Sequence, residues 1–149
     1  MPAERTERLL NRNIETVCEE LIVDIRTDLD IVAARQKSRE LAGKIGFPYI
    51  DLTIIATAVS ELARNIVLYA GNGTIYLRHI ENSYRRGSVV VAEDRGPGIA
   101  DVHRALQDGF STSGSLGMGL PGTKRLMDDF EIASKPGQGT RVTVKKWKQ

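Results

Sequence analysis

The thirty residues from Glu93 to Gly122, EDRGPGIADVHRALQDGFSTSGSLGMGLPG, hold seven of the chain's fourteen glycines. Glycine loses more conformational entropy on folding than any other residue. A cluster of this kind therefore answers a need for positive φ, tight turns, or close approach of backbone to another group. Phosphate recognition asks for all three, because backbone N–H groups have to converge on an anion. The stretch reads as permissive loops presented to a ligand, with the remaining chain as their frame.

Composition narrows the classes that such a frame can serve. At 149 residues the chain has the length of one domain, able to bury its own core without disulfides or a structural metal. The formal charge of +2, from 21 basic and 19 acidic residues, is too balanced for a dedicated nucleic-acid binder. A single Cys18 excludes an internal disulfide, and His79 and His103 stand at no recognisable zinc spacing. The N-terminus, MPAERTERLLNRN, is charged, and no run approaches the length of a membrane span. The expectation is a cytoplasmic protein with no nucleic-acid or membrane partner.

Residues 1–18 read as an N-terminal arm or short helix, with Leu9, Leu10, Ile14 and Val17 at loosely helical spacing. Residues 19–149 read as a single domain. Leu21–Ile25 is a strand-like run, and Asp28 or Asp30 can cap a helix over IVAARQKSRELAGKIG. Ile31, Ala34, Ser38, Leu41 and Ile45 share one face of it. Gly46 and Pro48 end this helix, and Asp51 or Thr53 can cap a second one running to about Ala70. The second helix carries a core stripe of Ile55, Ala58, Val59, Leu62 and Ile66, while Glu61, Arg64 and Asn65 gather on another side.

Further along, Thr74–Ile80 and Ser88–Ala92 read as a hairpin turning around Arg85-Arg86-Gly87. Asp101 can cap a short helix through Leu106, Asp108–Leu116 reads as a loop, and Leu120–Met127 as a helix. Phe130–Ser134 and Thr140–Trp147 read as strands around a Lys135–Gly139 turn. Together these predict a two-layer α/β sandwich, with one mixed, largely antiparallel sheet and its helices on one face. Strand order does not follow from the pattern.

Two glycine motifs mislead. Gly117-Met118-Gly119-Leu120-Pro121-Gly122 matches G-x-G-x-x-G, but FSTSGSL precedes it where a dinucleotide site needs a buried strand. Gly117–Lys124 resembles a phosphate loop until its end, where Gly-Thr-Lys replaces Gly-Lys-Ser or Gly-Lys-Thr. Asp94-Arg95-Gly96-Pro97-Gly98-Ile99 is sharper, because a carboxylate at the end of an apolar strand can accept a hydrogen bond from a base edge.

In order along the chain, Glu61...Asn65, Asp94-x-Gly-x-Gly, Gly117-x-Gly-Leu and Gly139-Thr140 resemble the boxes of the GHKL ATPase superfamily, which includes gyrase-type ATPases and histidine kinases. A closer likeness covers roughly residues 20–149. DIVAARQ, SELARNIVLYAG, EDRGPGI and DGFSTSGSLGMGLPGTKRLMDDF resemble the switch serine kinases of bacterial stressosome partner-switching systems.

The resemblance implies a Bergerat-type ATP site, with adenine held by Asp94 and by a water network through Thr140, and with Gly96, Gly98 and Ile99 in the adjoining turn. Asn65 matches the Mg²⁺ ligand and Glu61 the general base that takes a proton from the substrate serine. The bland alternative for Glu61 is an ion pair with Arg64, three residues on. The implied ATP lid runs from Ser111 to Gly119, with Ser111, Thr112, Ser113, Gly114, Ser115, Gly117, Met118 and Gly119 as ATP-binding residues and Leu120 following them. Related anti-sigma kinases carry an arginine two residues before the Gly-x-Gly, where this chain has Ser115. Mg²⁺ with backbone amides, Arg64 or Lys124 is left to meet the γ-phosphate charge. The implied activity is ATP-dependent phosphorylation of STAS-domain antagonist or scaffold proteins, followed by release and binding of a downstream effector of phosphatase type. The rival reading is an ATP-gated binding module that transfers no phosphate.

Overall fold

The computed structural model describes residues 14–107 and 119–149. The chain runs β1 (Thr16–Ile25), α1 (Asp28–Ile45), α2 (Tyr49–Tyr69), β2 (Gly73–Glu81), β3 (Arg86–Asp94), α3 (Val102–Ala105), α4 (Gly119–Leu126), β4 (Asp129–Lys135) and β5 (Gly139–Trp147). The strands form one sheet in the order β1-β2-β3-β5-β4, and each pairing is antiparallel. The parallel component of a mixed sheet is therefore not found among the described residues. A single crossover helix would have produced it. Here two helices in hairpin arrangement, α1 and α2, return the chain to the end where β1 finished, so β2 runs back alongside it.

Local chemistry sets the helix ends. The backbone N–H groups of Arg26 and Thr27 donate to the Asp30 carboxylate at 2.8 and 3.0 Å. These amides hold its carboxyl below the usual carboxylate range. Gly46, at φ 99°, closes α1 by donating to Ala42 and Gly43 carbonyls. The second helix begins earlier than Asp51 or Thr53 would place it. Pro48 is its N-cap residue and Asp51 lies inside the first turn, where a negative charge suits the helix dipole.

Strand β1 also begins earlier than expected, at Thr16, so Thr16–Cys18 belong to the sheet and not to an arm or helix. As an edge strand it is exposed along its first half, which removes the apolar alternation that marks a strand. The β2–β3 turn falls at residues 82–85, where Asn82 Oδ1 accepts the N–H groups of Tyr84 and Arg85, and Arg86 already belongs to β3.

The core lies between the sheet and the helices. Ile55, Leu62 and Ile66 of α2 pack with Ile25, Ile75, Leu77, Val90 and Val144 of the strands. Burying each of these side chains contributes roughly 1.5–3 kcal/mol. The opposite sheet face carries a smaller cluster of Ile80, Val89, Val91 and Trp147 with Tyr76 against it. One expectation about length needs correction. With 21 residues and a mean hydropathy of 1.3, α2 is long and apolar enough to cross a membrane. Its apolar stripe is instead packed into the core, which leaves its other side for Glu61, Arg64 and Asn65.

Candidate functional site

Helix α2 meets the start of α4 at Glu61. This side chain is 7% exposed. Its Oε1 accepts from Arg64 Nη1 at 3.0 Å, and its Oε2 accepts from the Gly119 backbone N–H at 3.3 Å. The ion pair offered by the i,i+3 spacing is thus formed, with Arg64 still 43% exposed on its outer side. Asn65 follows on the same helix, half-buried, and no described side chain hydrogen-bonds its amide.

A second group gathers at the far end of the sheet's central strands. Asp94 ends β3 and pairs with Gly73 on one side and Thr140 on the other. Its Oδ1 accepts from the Gly96 N–H at 2.9 Å. Thr140 Oγ1 lies 2.8 Å from Ser134 Oγ on β4. The Ser134 hydroxyl also accepts from the Ile99 N–H at 2.7 Å and reaches the Gly139 carbonyl at 3.1 Å.

Ser134 is the residue that sequence reasoning missed. It has one proton, and the Gly139 carbonyl can only accept it. Thr140 then donates to Ser134, which leaves its own oxygen able to accept. Two acceptors, Asp94 and Thr140, are thereby presented side by side to a donor such as an exocyclic amino group or a water. No local signal marked Ser134. Its partners lie on two other segments, the turn at Ile99 and the start of β5 at Gly139 and Thr140.

The glycines of the Asp94 turn fit against protein. A Cβ on Gly98, at φ 75°, would stand 2.2 Å from the Lys135 carbonyl oxygen. One on Gly96 would stand 2.7 Å from Ala70 Cβ, at the end of α2. Close approach, the reason glycine clusters form, is here an approach of turn to turn that fixes the Asp94 carboxylate.

Of the expected lid, Ser111, Thr112, Ser113, Gly114, Ser115, Gly117 and Met118 lie outside the described residues. Gly119 supplies the N–H at Glu61, and Leu120 joins the main core. A depression of about 220 Å³ opens beside Asp94, Gly139 and Thr140. Glu93, Arg95, Gln138 and Arg141 also line it, whereas Glu61 and Asn65 do not.

The site thus joins a buried carboxylate at the start of α4 to two oxygen acceptors, Asp94 and Thr140, on adjacent strands. The chain matches the histidine kinase-like ATPase domain over residues 26–146 and belongs to that family. It is 52% identical over 125 residues to the serine/threonine-protein kinase RsbT of Bacillus subtilis (strain 168), covering 84% of this chain and 94% of that protein. This similarity places it among ATP-using serine/threonine protein kinases. It is also 32% identical over 102 residues to an anti-sigma F factor of Thermoanaerobacter sp. (strain X514), covering 65% of this chain and 71% of that protein.

Among solved structures, the chain resembles the RsbU and RsbW domains of a Mycobacterium tuberculosis protein, with a TM-score of 0.60 and 22% identity over 86% of this chain and 31% of that one. A mycobacterial sensor histidine kinase, MprB, aligns with a TM-score of 0.51 and 19% identity over 87% of this chain and 97% of that one. These likenesses establish the fold, the two-layer sandwich that the motifs implied.

Proposed function

We propose that the chain is a cytoplasmic Mg·ATP-dependent serine kinase of a stressosome-type partner-switching module, acting on STAS-domain antagonist or scaffold proteins. Asp94 and Thr140 read the adenine edge, Gly96, Gly98 and Ile99 shape the turn beneath it, and the segment from Ser111 to Gly119 serves as the lid over the phosphates. Asn65 offers the neutral, hard oxygen that Mg²⁺ accepts alongside water and phosphate oxygens, and its unengaged amide fits that role. Held by Asn65, Mg²⁺ would supply positive charge to offset that of the phosphates during transfer.

In the transfer, the substrate serine Oγ bonds to the γ-phosphorus. The bond from that phosphorus to the β,γ-bridging oxygen breaks, ADP leaves, and the hydroxyl proton passes to Glu61. The observation that carries this reading is the buried Glu61 carboxylate at the start of α4, the helix that follows the lid. Arg64, paired with Glu61 at 3.0 Å and still partly exposed, is our choice for the cation that would exchange Glu61 for the γ-phosphate in the role of the arginine that Ser115 replaces. The phosphoserine brings about −1.5 to −2 charge to an interface that had fitted a neutral hydroxyl, and the complex separates by repulsion and desolvation. The freed kinase then engages a downstream effector of phosphatase type.

Incubation with γ-labelled ATP and STAS-domain proteins tests the reading: label should appear on serine of the partner, and a competent partner that stays unlabelled defeats it. One observation favours the rival, a binding module gated by ATP without transfer. Both Glu61 oxygens are engaged, by Arg64 and by Gly119, so the base is not free in this conformation.

Two substitutions test the base pocket. Asp94→Asn should weaken ATP binding about tenfold to a hundredfold, the loss of a charge-assisted acceptor. Unchanged affinity by calorimetry would remove Asp94 from the pocket. Ser134→Ala should lower ATP affinity by about fivefold, the worth of one neutral hydrogen bond, and narrow the preference for ATP over GTP. If the discrimination between these nucleotides stays at its wild-type value, Ser134 does not orient Thr140.

A further inference from the structure

At the opposite end of the sheet from Asp94, the fold assembles three metal-ligating side chains that the kinase reading does not use. Thr16 pairs with Glu81 and Val17 with Ile80, but the ladder then shifts and Glu19 pairs with His79, leaving Cys18 as the extra residue of a β-bulge. Bulges re-aim side chains, and this one brings the Cys18 thiol to the two β2 residues. One ligand atom from each of Cys18, His79 and Glu81 lies within 4.8 Å of the others.

His79 Nε2 supplies an independent observation. It is buried and has no hydrogen-bond partner, a costly state for an imidazole nitrogen. Its nearest carboxylate oxygen, Glu81 Oε1, stands at 3.2 Å without hydrogen-bonding alignment. Two ligands bound tetrahedrally at about 2.0–2.2 Å from one zinc ion are about 3.3 Å apart, so this spacing is that of one edge of a coordination shell. Arg86 Nε, 3.4 Å from the same oxygen, also holds Glu81 and would yield it or move to the other carboxylate oxygen.

We propose that Cys18, His79 and Glu81 form a three-ligand site for a zinc-class divalent ion, with a fourth position open to water. Sulfur and imidazole donors favour borderline-soft ions over Mg²⁺. The site is therefore chemically separate from Asn65, and along β2 it lies roughly 20–25 Å from the Gly73–Asp94 pair, at about 3.3 Å per residue. Two adjacent strands supply the ligands, so the ion clamps the start of edge strand β1 to β2. An ion that binds the folded state alone raises its stability.

The test is a titration of the reduced, metal-free full chain with Co²⁺, followed by Zn²⁺. The expected result is a thiolate-to-cobalt charge-transfer band at one equivalent, bleached by Zn²⁺ and unaffected by excess Mg²⁺. Because Cys18 is the chain's single cysteine, Cys18→Ala should abolish the band, and at this exposed position the variant should remain folded. Zn²⁺ should raise the melting temperature of the native chain and leave that of Cys18→Ala unchanged. His79→Gln should weaken Co²⁺ binding by at least about tenfold. No band in the native chain, or equal Co²⁺ affinity in His79→Gln, overturns the site. Neither result depends on ATP or on the kinase activity.

Discussion

Glu61→Gln is expected to lower phosphoryl transfer to a STAS-domain partner by about 10²–10⁴-fold, the usual contribution of a positioned general base, while ATP affinity stays close to the wild-type value. The substitution keeps the volume and the helix. It replaces a carboxylate that can take the serine proton by an amide that cannot. It also unsettles the ground state, because Glu61 now accepts from both Arg64 and the Gly119 N–H. A glutamine has one acceptor oxygen, so one of these donors would face an NH₂ group. Arg64→Ala separates the two effects. If the ion pair is only structural, Arg64→Ala leaves single-turnover transfer unchanged, whereas an arginine that moves to the γ-phosphate loses rate with Glu61 intact. Equal turnover in wild type and Glu61→Gln would take Glu61 out of the mechanism and leave the ATP-gated module as the better reading.

The second large effect concerns stability. Gly139→Ala should destabilise the fold by about 3 kcal/mol or more, combining roughly 1–2 kcal/mol for a left-handed backbone with roughly 1–3 kcal/mol for overpacking. Gly139 has φ 87°, and a Cβ there would stand 2.1 Å from the Asp94 carbonyl oxygen and 2.8 Å from Arg95 Cα. Both are backbone atoms of a central strand end and cannot step aside as a flexible side chain can. Gly137, two residues earlier in the same turn, is the control. Its φ is 76°, yet a Cβ would meet nothing within 4 Å. Gly137→Ala should therefore cost only the backbone term, about 1–2 kcal/mol. Equal shifts of the urea midpoint in the two variants would show that the contact with Asp94 does not matter. A larger shift in Gly139→Ala should come with weakened ATP binding, because the displaced atoms carry the Asp94 carboxylate.

Much of the frame was legible before any coordinates. Helix α2 announced itself because its buried residues recur at the helical period, and Glu61 and Asn65 followed as neighbours on a separate side. Strands β3 and β5 were legible for their β-branched runs. What stayed hidden depended on position in the sheet or on neighbours distant in sequence, with one local exception at the start of α2. The first half of β1 is an exposed edge, without the alternation that burial imposes. The start of α2 rests on the preset backbone of Pro48 and not on a side-chain cap. The order β1-β2-β3-β5-β4 follows from how two helical returns fold back, which no local pattern encodes.

The amino-acid sequence by itself determined the ATPase fold, because periodic burial and ordered motifs are local properties of the chain. Tertiary structure alone decided which groups meet. It set Gly119 against Glu61, placed Ser134 between Ile99, Gly139 and Thr140, and brought Cys18 to His79 and Glu81. Hydrogen bonds and metal coordination act over a few ångströms, so pairing register, a bulge and a shared turn decide them, while separation along the chain does not. The glycine-rich stretch shows both sides. Its composition pointed to close approach, and only the packed chain revealed that Gly98 meets the Lys135 backbone while Gly139, from outside the stretch, meets the backbone of Asp94 and Arg95.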